Sequence, residues 1–164
     1  MSHLITMEPI GVVHSEHHDP MQTPIQPVFA LGCPGRAEIL PSYQAGLEDI
    51  EEFTHLILLY HMDRAEPAKM LVKPFLEDRV HGVFATRSPQ RPNGIGLSIV
   101  RLVRRDHGTL YLEDVDILDG TSLLDIKPYV PQFDARPDAN NGWVSRIDPE
   151  QAQSRGTRGW QNTR

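Results

Sequence analysis

Hydrophobic residues occur along the chain in short runs interrupted by polar, proline-containing segments, a pattern that favours strands over long helices. The predicted strands are residues 5–14, 36–40, 54–62, 83–86 and 96–105. The run at 54–62 is apolar almost throughout, which predicts a strand buried on both faces. A turn sequence at 106–108 precedes a further strand from Thr109, so 96–105 and this strand should form a hairpin. Apolar residues at helical spacing predict one short helix over 45–53.

The fold class that follows is mainly β, with one or two short helices. A Rossmann fold is disfavoured because no G-x-G-x-x-G motif follows a strand and no long helices alternate with the strands. With 164 residues, the chain has the size of a single domain. We place that domain at residues 1–147 and expect the polar segment 148–164 to be a flexible C-terminal tail.

The composition indicates the cellular compartment of the protein. The single cysteine, Cys33, leaves no partner for an internal disulfide and lies in a turn-forming sequence, so we interpret it as a structural thiol. The sequence has no signal-peptide pattern and no apolar run long enough for a membrane span, so a cytoplasmic protein without membrane association is expected.

Charge alone does not favour a nucleic-acid partner, because the net charge is −6 and strong unaided binders are usually basic. Arginines are nevertheless concentrated in the middle of the chain, so either a local basic face or a mixed solvated surface is compatible with the sequence. These arginines are Arg79, Arg87, Arg91, Arg101, Arg104 and Arg105.

The segment 84–98 predicts a rigid polar loop between two strands. Pro89 and Pro92 each fix φ, whereas Gly94 and Gly96 allow conformations and close approaches that a Cβ forbids. Arginines, a serine and an asparagine between them are suited to hold an anionic or polar ligand. The alternative is a structural loop that is merely rich in proline.

A second polar stretch covers residues 116–131. Its turn, Asp119-Gly120-Thr121, offers a carboxylate and a hydroxyl that could cap the backbone or face a ligand. Asp125, Lys127 and Tyr129 alternate, so in a strand they would share one face and could bind a substrate and move a proton. A surface Asp–Lys pair beside a partly buried tyrosine is the simpler alternative.

Histidines near the N-terminus form the one metal-like cluster of the sequence, consisting of His14, His17, His18 and Asp19. Their spacing is not a strong zinc pattern, and no second ligand pair follows at a telling distance. A solvated histidine-rich loop is favoured and no metal is expected, although a metal-dependent hydrolase is retained as an alternative.

Two long segments, 82–98 and 119–131, closely resemble the two signatures of the TsaA-like family, also called TrmO or YaeB-like. Residues 10–13 are similar to the opening strand of that family, residues 53–56 to its central strand, and the likeness covers about residues 5–147. The resemblance implies a small non-Rossmann β-barrel methyltransferase that binds S-adenosylmethionine and forms a homodimer. The implied reaction is N6-methylation of N6-threonylcarbamoyladenosine beside the anticodon of threonine tRNA.

The resemblance also implies the residues of the site. The implied cofactor contacts are Gln26, Pro27, Asp63, Arg64, Arg87, Leu97, Asp119, Gly120, Thr121 and Ser122. Asp125 and Tyr129 are the candidate bases or hydrogen-bond acceptors for the target nitrogen, and Lys127 would hold the threonyl carboxylate. The chain departs from the family pattern at Gly94 and Ser122, where proline is usual, and at Asp63, where histidine is common. A module that binds S-adenosylmethionine or a nucleotide without transferring a methyl group is the non-enzymatic alternative.

Overall fold

The computed structural model describes residues 3–164 and contains a closed antiparallel barrel. Six strands form the barrel in the order β1–β2–β7–β6–β3–β8, closed by the pairing of β8 with β1. The strands are β1 (Gly11–Ser15), β2 (Gly35–Ile39), β3 (His55–His61), β6 (Ile95–Asp106), β7 (Thr109–Glu113) and β8 (Thr121–Pro128). Two short strands, β4 (Leu71–Val72) and β5 (His81–Gly82), pair separately outside it. The predicted mainly β fold and small barrel are therefore confirmed.

Helical structure is limited to short pieces. The α-helices are α1 (Pro131–Asp134) and α2 (Pro149–Thr157), and the 3₁₀ turns are Pro20–Gln22, Pro27–Phe29, Pro41–Leu47, Ile50–Glu52, Val83–Ala85, Pro92–Gly94 and Gly142–Arg146. None of these helices, within residues 3–164, is long and apolar enough to cross a bilayer.

The helix predicted for 45–53 is wrong in kind, because the structure forms two 3₁₀ turns there. Asp49 adopts a left-handed conformation with φ of 64°, which separates Pro41–Leu47 from Ile50–Glu52. A left-handed residue cannot continue a right-handed helix, so the apolar spacing serves two short turns instead. The strand predicted at 83–86 is likewise a 3₁₀ turn, preceded by β5.

The alternating burial along β3 shows which side chains fill the barrel. Leu56, Leu58 and Tyr60 are buried, while the intervening residues are half-buried. Successive side chains of a strand point to opposite faces, so one set fills the barrel and the other lies on its outer surface. The prediction of burial on both faces is therefore wrong. The predicted hairpin is confirmed, since β6 and β7 pair antiparallel around the turn at 107–108.

The C-terminal segment contacts the barrel loops. Asp148 caps α2 by accepting from the backbone N–H of Gln151 at 3.1 Å, and the carbonyl of Gly156 accepts from the N–H of Ile25 at 2.9 Å. The indole N–H of Trp160 donates to Glu16 at 2.6 Å. A flexible polar tail was expected here, and the structure shows a helix that these polar contacts join to the loops. The mobility of the segment stays a prediction.

Candidate functional site

The C-terminal end of β3 brings both polar signature segments together. β3 lies between β6 and β8, so that Tyr60 stands opposite Gly96 on one side and Leu123 on the other. The N–H of Met62 donates to the carbonyl of Gly94 at 2.8 Å. Arg64 then reaches to β8, where its Nη2 donates to Oγ1 of Thr121 at 3.0 Å. Residues from the first signature, the segment after β3 and the second signature thus share one end of the barrel, called the β3 end below.

The loop of the first signature is held by its own side chains. Nη1 of Arg91 donates to the carbonyls of Thr86 at 2.8 Å and Ser88 at 3.3 Å. Asn93 and Gly94 both have positive φ, 67° and 58° respectively. Proline fixes φ near −65°, so a proline in place of Gly94 would require a different loop conformation.

Arg87 leaves this loop and points to a second one. Its Nη1 donates to Oε1 of Gln26 at 2.7 Å, and Gln26 immediately precedes the 3₁₀ turn that Pro27 begins. Arg64 and Arg87 are both exposed, and Asp63 lies 3.7 Å from Nε of Arg64. The β3 end therefore presents two exposed guanidinium groups. Arg64 contacts Thr121 and Asp63, and Arg87 contacts Gln26. A guanidinium group has five N–H donors, so each can still bind an anion.

In the second signature, the turn is held largely by Asp119. One carboxylate oxygen accepts from the N–H of Ser15 at 3.1 Å and lies 3.1 Å from Nδ1 of His14. Partial burial acts to raise the pKa of Asp119, but the hydrogen bonds with Ser15 and His14 lower it by more. The pKa of this carboxyl group therefore lies below its usual value. Gly120 follows with φ of 81°. Of the two roles left open, capping of the backbone is the one the geometry displays.

The histidine cluster does not converge on one point. His14 and His18 face Asp119, whereas His17 turns inward and lies 2.8 Å from the carbonyl of Val115. Asp19 caps the N–H of Met21 instead. No group of three or more His, Cys, Asp or Glu side chains placed to hold a metal is found among residues 3–164. The metal-dependent hydrolase thus has no ligand set in the described part of the chain.

Cys33 is fully buried beside His17, with 3.2 Å between Sγ and Nε2. Burial, followed by the nearby Glu16 carboxylate, raises the pKa of the thiol to about 12. A thiol that stays protonated at neutral pH is a poor nucleophile. This agrees with a structural thiol.

A buried hydrogen-bonded chain at the β3 end was missed by sequence reasoning. Ser98 Oγ donates to Asp116 at 2.6 Å and lies 2.9 Å from the hydroxyl of Tyr60, and all three residues are buried. Burial raises the pKa of Asp116 to about 7, although Ser98 and Arg87 act against the rise. The one sequence signal was an aspartate between two apolar residues, Val115 and Ile117.

The predicted catalytic residues lie on the outside of the barrel. Cross-strand pairing places Leu97, Leu59 and Asp125 in one row across β6, β3 and β8. The next row is Ile99, Ile57 and Lys127. Asp125 Oδ2 accepts from Nζ of Lys127 at 2.8 Å, so the two residues do share a face.

Tyr129 follows the end of β8 and is half-buried, with its N–H donating to the carbonyl of His55 at 3.0 Å. Thr121 and Asp125 are four residues apart on β8, which corresponds to about 13 Å along a strand. The candidate catalytic side chains therefore lie beside the β3 end on the outer surface and not within it. Ser122 shares that half-exposed outer surface, opposite Val12.

Two cavities lie away from Arg64 and Arg87. One of about 540 Å³ is formed by the segment after β1 and the C-terminal segment, with Phe29 and Trp160 among its lining residues. Another of about 330 Å³ is bordered by Tyr43, Phe53 and Asp125. Neither of these two cavities includes the guanidinium groups of the β3 end.

The middle arginines do not form one continuous face. Arg87 and Arg91 lie in the loop at the β3 end, while the guanidinium of Arg104 stacks over the ring of Tyr111 at 3.6 Å. Nη1 of Arg105 donates to the carbonyl of Leu47 at 2.9 Å. These four arginines therefore form two separate groups, one in the loop at the β3 end and one on β6, where Arg105 also pairs with Glu51 at 3.1 Å.

Sequence comparison with known proteins finds relatives that match almost the entire barrel. Residues 12–135 match the family model described as the tRNA-methyltransferase O N-terminal domain. A probable S-adenosyl-L-methionine-binding protein of Pyrococcus abyssi is 51% identical over 143 residues, which cover 87% of this chain and 78% of the relative. The human protein named tRNA (adenine(37)-N6)-methyltransferase is 35% identical over 135 residues, covering 78% of this chain and 31% of that protein.

The fold comparison agrees. A crystal structure of TrmO from Pseudomonas aeruginosa superposes with a TM-score of 0.72 at 41% identity, covering 87% of this chain and 63% of the crystallised one. This chain thus spans less than two thirds of the crystallised relative and under one third of the human one.

Proposed function

The chain belongs to the tRNA-methyltransferase O N-terminal domain family, and from this membership we propose that it transfers the methyl group of S-adenosylmethionine to N6 of an adenosine in tRNA. The observation that carries the proposal is the meeting of both signature segments at the β3 end, where β3 pairs with β6 on one side and with β8 on the other. Arg64, in the segment after β3, donates to Thr121 of the second signature. Relatives named as S-adenosylmethionine-binding proteins and as tRNA (adenine(37)-N6)-methyltransferases support the same activity.

The groups at the β3 end fit this cofactor. Two exposed guanidinium groups, of Arg64 and Arg87, suit the carboxylate of its methionine part. Gln26 adds an amide that suits its ribose hydroxyls or base edge. Thr121 is buried, and its hydroxyl donates to the Leu118 carbonyl at 2.6 Å and accepts from Arg64, so it positions that guanidinium group. Leu97, which is 44% exposed, offers an apolar contact. The remaining members of the proposed site are Pro27, Asp63, Asp119, Gly120 and Ser122.

When bound, S-adenosylmethionine supplies an electrophilic methyl group: the N6–C bond forms as the S–C bond breaks, the sulfur leaves as a neutral thioether, and N6 gives up its proton. Asp125 is proposed to accept that proton, with Tyr129 as a further acceptor nearby. The ion pair with Lys127 holds the Asp125 carboxylate in position before substrate arrives. Much of the remaining rate enhancement comes from aligning the two substrates.

The target nucleoside we propose is N6-threonylcarbamoyladenosine in threonine tRNA. Lys127 lies on the outer surface next to Asp125, and its side chain is 61% exposed, so its ammonium group is proposed to bind the threonyl carboxylate. A plain adenosine offers no such anion, so Lys127 would have little to bind in it. The arginines at the β3 end locally offset the net charge of −6 for an RNA substrate.

We also propose a homodimer that covers the outer surface of β3 and β6. Ile95, Leu97 and Ile99 are 41%, 44% and 37% exposed and lie in line beside the half-buried Ile57 and Leu59. A contiguous apolar strip of this kind is typical of an interface. A second chain there would wall in the β3 end next to Leu97. In analytical ultracentrifugation we expect the unmodified protein to be a dimer and Ile99→Glu to be a monomer. A monomeric unmodified protein would contradict the proposal.

The decisive experiment supplies methyl-labelled S-adenosylmethionine and tRNA that carries or lacks the threonylcarbamoyl group, followed by mass spectrometry of the nucleosides. Methylated N6-threonylcarbamoyladenosine from the modified tRNA alone is expected. Binding of S-adenosylmethionine without any methylated nucleoside would favour the non-enzymatic binding module. A tRNA substrate and a reduced Cys33 both suit the cytoplasm, where we propose that the protein acts.

A further inference from the structure

While Asp116 is ionised, the hydrogen bonds that link Tyr60, Ser98 and Asp116 have a single direction. Ser98 uses its one proton to donate to Asp116, so Tyr60 must donate to Ser98. Both bonds therefore point toward the Asp116 carboxylate. Such an arrangement delocalises and supports a negative charge on Asp116 inside the barrel.

The buried chain belongs to the β3 end, because Tyr60 pairs there with Gly96 and Leu123 and is linked through Ser98 to Asp116. Tyr60 precedes Arg64 by four residues on the chain, Ser98 directly follows Leu97, and Asp116 precedes Asp119 by three. The guanidinium of Arg87 lowers the pKa of both Asp116 and Tyr60, so its positive charge acts on the buried chain. The backbone elements that carry the cofactor contacts thus also carry the buried chain.

We propose that Asp116 is a specificity-determining residue whose buried negative charge makes the site prefer the cationic sulfonium of S-adenosylmethionine over the neutral thioether of S-adenosylhomocysteine. This rests on the proposed function, namely that the cofactor binds at the β3 end. Release of the demethylated product would follow from the same preference, because the product no longer carries the charge that Asp116 attracts.

The electrostatic reason is the pair of arginines. Arg64 and Arg87 give the site two positive charges, which by themselves oppose the binding of a cationic sulfonium. The Asp63 carboxylate is 56% exposed, so water screens much of its compensating charge. Asp116 is 9% exposed, and a charge in the low-dielectric interior acts over a longer distance than one on the surface.

Few other groups near Asp116 change their charge close to neutral pH. The groups around Asp116 are Tyr60 of β3, Ser98 of β6, Arg87 of the first signature loop, and Cys33 and His17 before β2. Burial raises the pKa of Tyr60 far above neutrality and that of Cys33 to about 12, and Arg87 stays charged. Burial lowers the pKa of His17, so this histidine is neutral at pH 7.

The test is calorimetric binding of both ligands to the intact chain and to two matched variants. Asp116→Asn keeps an oxygen that accepts from Ser98 but removes the charge. Asp114→Asn removes one negative charge two residues away, where a left-handed φ of 65° suits asparagine. We expect Asp116→Asn to weaken S-adenosylmethionine binding by about tenfold and S-adenosylhomocysteine binding by less than about twofold. Asp114→Asn should change neither.

A second measurement varies the pH. The ratio of the S-adenosylhomocysteine to S-adenosylmethionine dissociation constants should fall by up to about tenfold from pH 8 to pH 6, as Asp116 takes up a proton. The same series on Asp116→Asn gives the baseline, because the titration of the ligands' own amino groups contributes equally to both proteins. In Asp116→Asn this fall should be absent, and only the baseline set by the ligands and by His14 and His18 beside Asp119 should remain.

Outcomes separate the two proposals. Failure of the unmodified chain to bind either ligand would overturn the proposed function. Equal weakening of both ligands in a folded Asp116→Asn, or the same pH dependence of the ratio in both proteins, would overturn the role of Asp116 alone. If Asp116→Asn does not fold, the pH series of the unmodified chain decides.

Discussion

Gly96 lies directly opposite the ring of Tyr60, so close that a Cβ on Gly96 would stand 2.2 Å from the nearest ring carbon. That ring carries the hydroxyl that donates to Ser98, and thus begins the buried chain that ends at Asp116. Because Gly96 has no side chain, the Tyr60 ring can pack against the backbone there. Its hydroxyl is thereby placed to donate to Ser98, which in turn donates to Asp116.

Gly96→Ala should destabilise the barrel and displace Tyr60. Relief of the overlap requires the aromatic ring or the backbone of β6 to move, and overpacking of this type costs about 1–3 kcal/mol. The free energy of unfolding from urea denaturation measures the effect. Gly82→Ala is the control, because nothing lies within 4 Å of a Cβ built there. Equal stability of the two variants would show that the Tyr60 ring moves at little cost.

The Arg64–Thr121 hydrogen bond should contribute to cofactor binding as a pair. Arg64→Ala, Thr121→Val and the double variant form a cycle for the dissociation constant of S-adenosylmethionine. We expect a coupling of about 0.5–1.5 kcal/mol, the usual net worth of one hydrogen bond. The exposed Arg36–Glu38 pair, 2.9 Å apart on β2, provides a control cycle expected to show no coupling. Additive effects of Arg64 and Thr121 would mean that they act separately.

The buried charge of Asp116 should cost stability at neutral pH. Its pKa is raised from 3.8 to about 7 in the folded chain, so between these values the folded state binds more protons than the unfolded state. Stability conferred by the protonated carboxyl is thus complete below about pH 4 and is lost as the pH rises toward 7. Relative to Asp116→Asn, the unmodified chain should lose up to about 1.4 kcal/mol per pH unit in this window.

Urea denaturation of both proteins from pH 4 to pH 8 measures that difference, in which the titration of all other groups cancels. Asp114→Asn should follow the unmodified chain at every pH. A difference that stays constant across the window would show that Asp116 titrates near its ordinary pKa.

Asp125 should affect turnover and not cofactor binding. It lies on the outer surface in a row with Leu59 and Leu97, about 13 Å along β8 from Thr121. Asp125→Ala should lower kcat by about 10²-fold or more, as expected for loss of a general base, with the S-adenosylmethionine dissociation constant unchanged. Asp106→Ala at the far end of β6 serves as the control. Unaltered kcat in Asp125→Ala would remove the residue from the mechanism.

The amino-acid sequence by itself determined where most barrel strands lie. Alternating or dense apolar runs predicted β1, β2, β3 and β6, and the turn at 107–108 predicted the pairing of β6 with β7. These features depend on local patterning, which the linear sequence contains in full. Local reasoning failed at 45–53, because the left-handed Asp49 interrupts a spacing that otherwise fits a helix.

Only the tertiary structure decided what meets at the site. Ser98 is 38 residues from Tyr60 and 18 from Asp116, and they come together because β6 pairs with β3 and the chain after β7 closes over the barrel. Burial of Asp116, and hence its raised pKa, exists only once that closure excludes water. The same closure turned Asp125 and Lys127 outward and His17 inward, since the side of a strand or loop that faces the interior is set by register between distant segments.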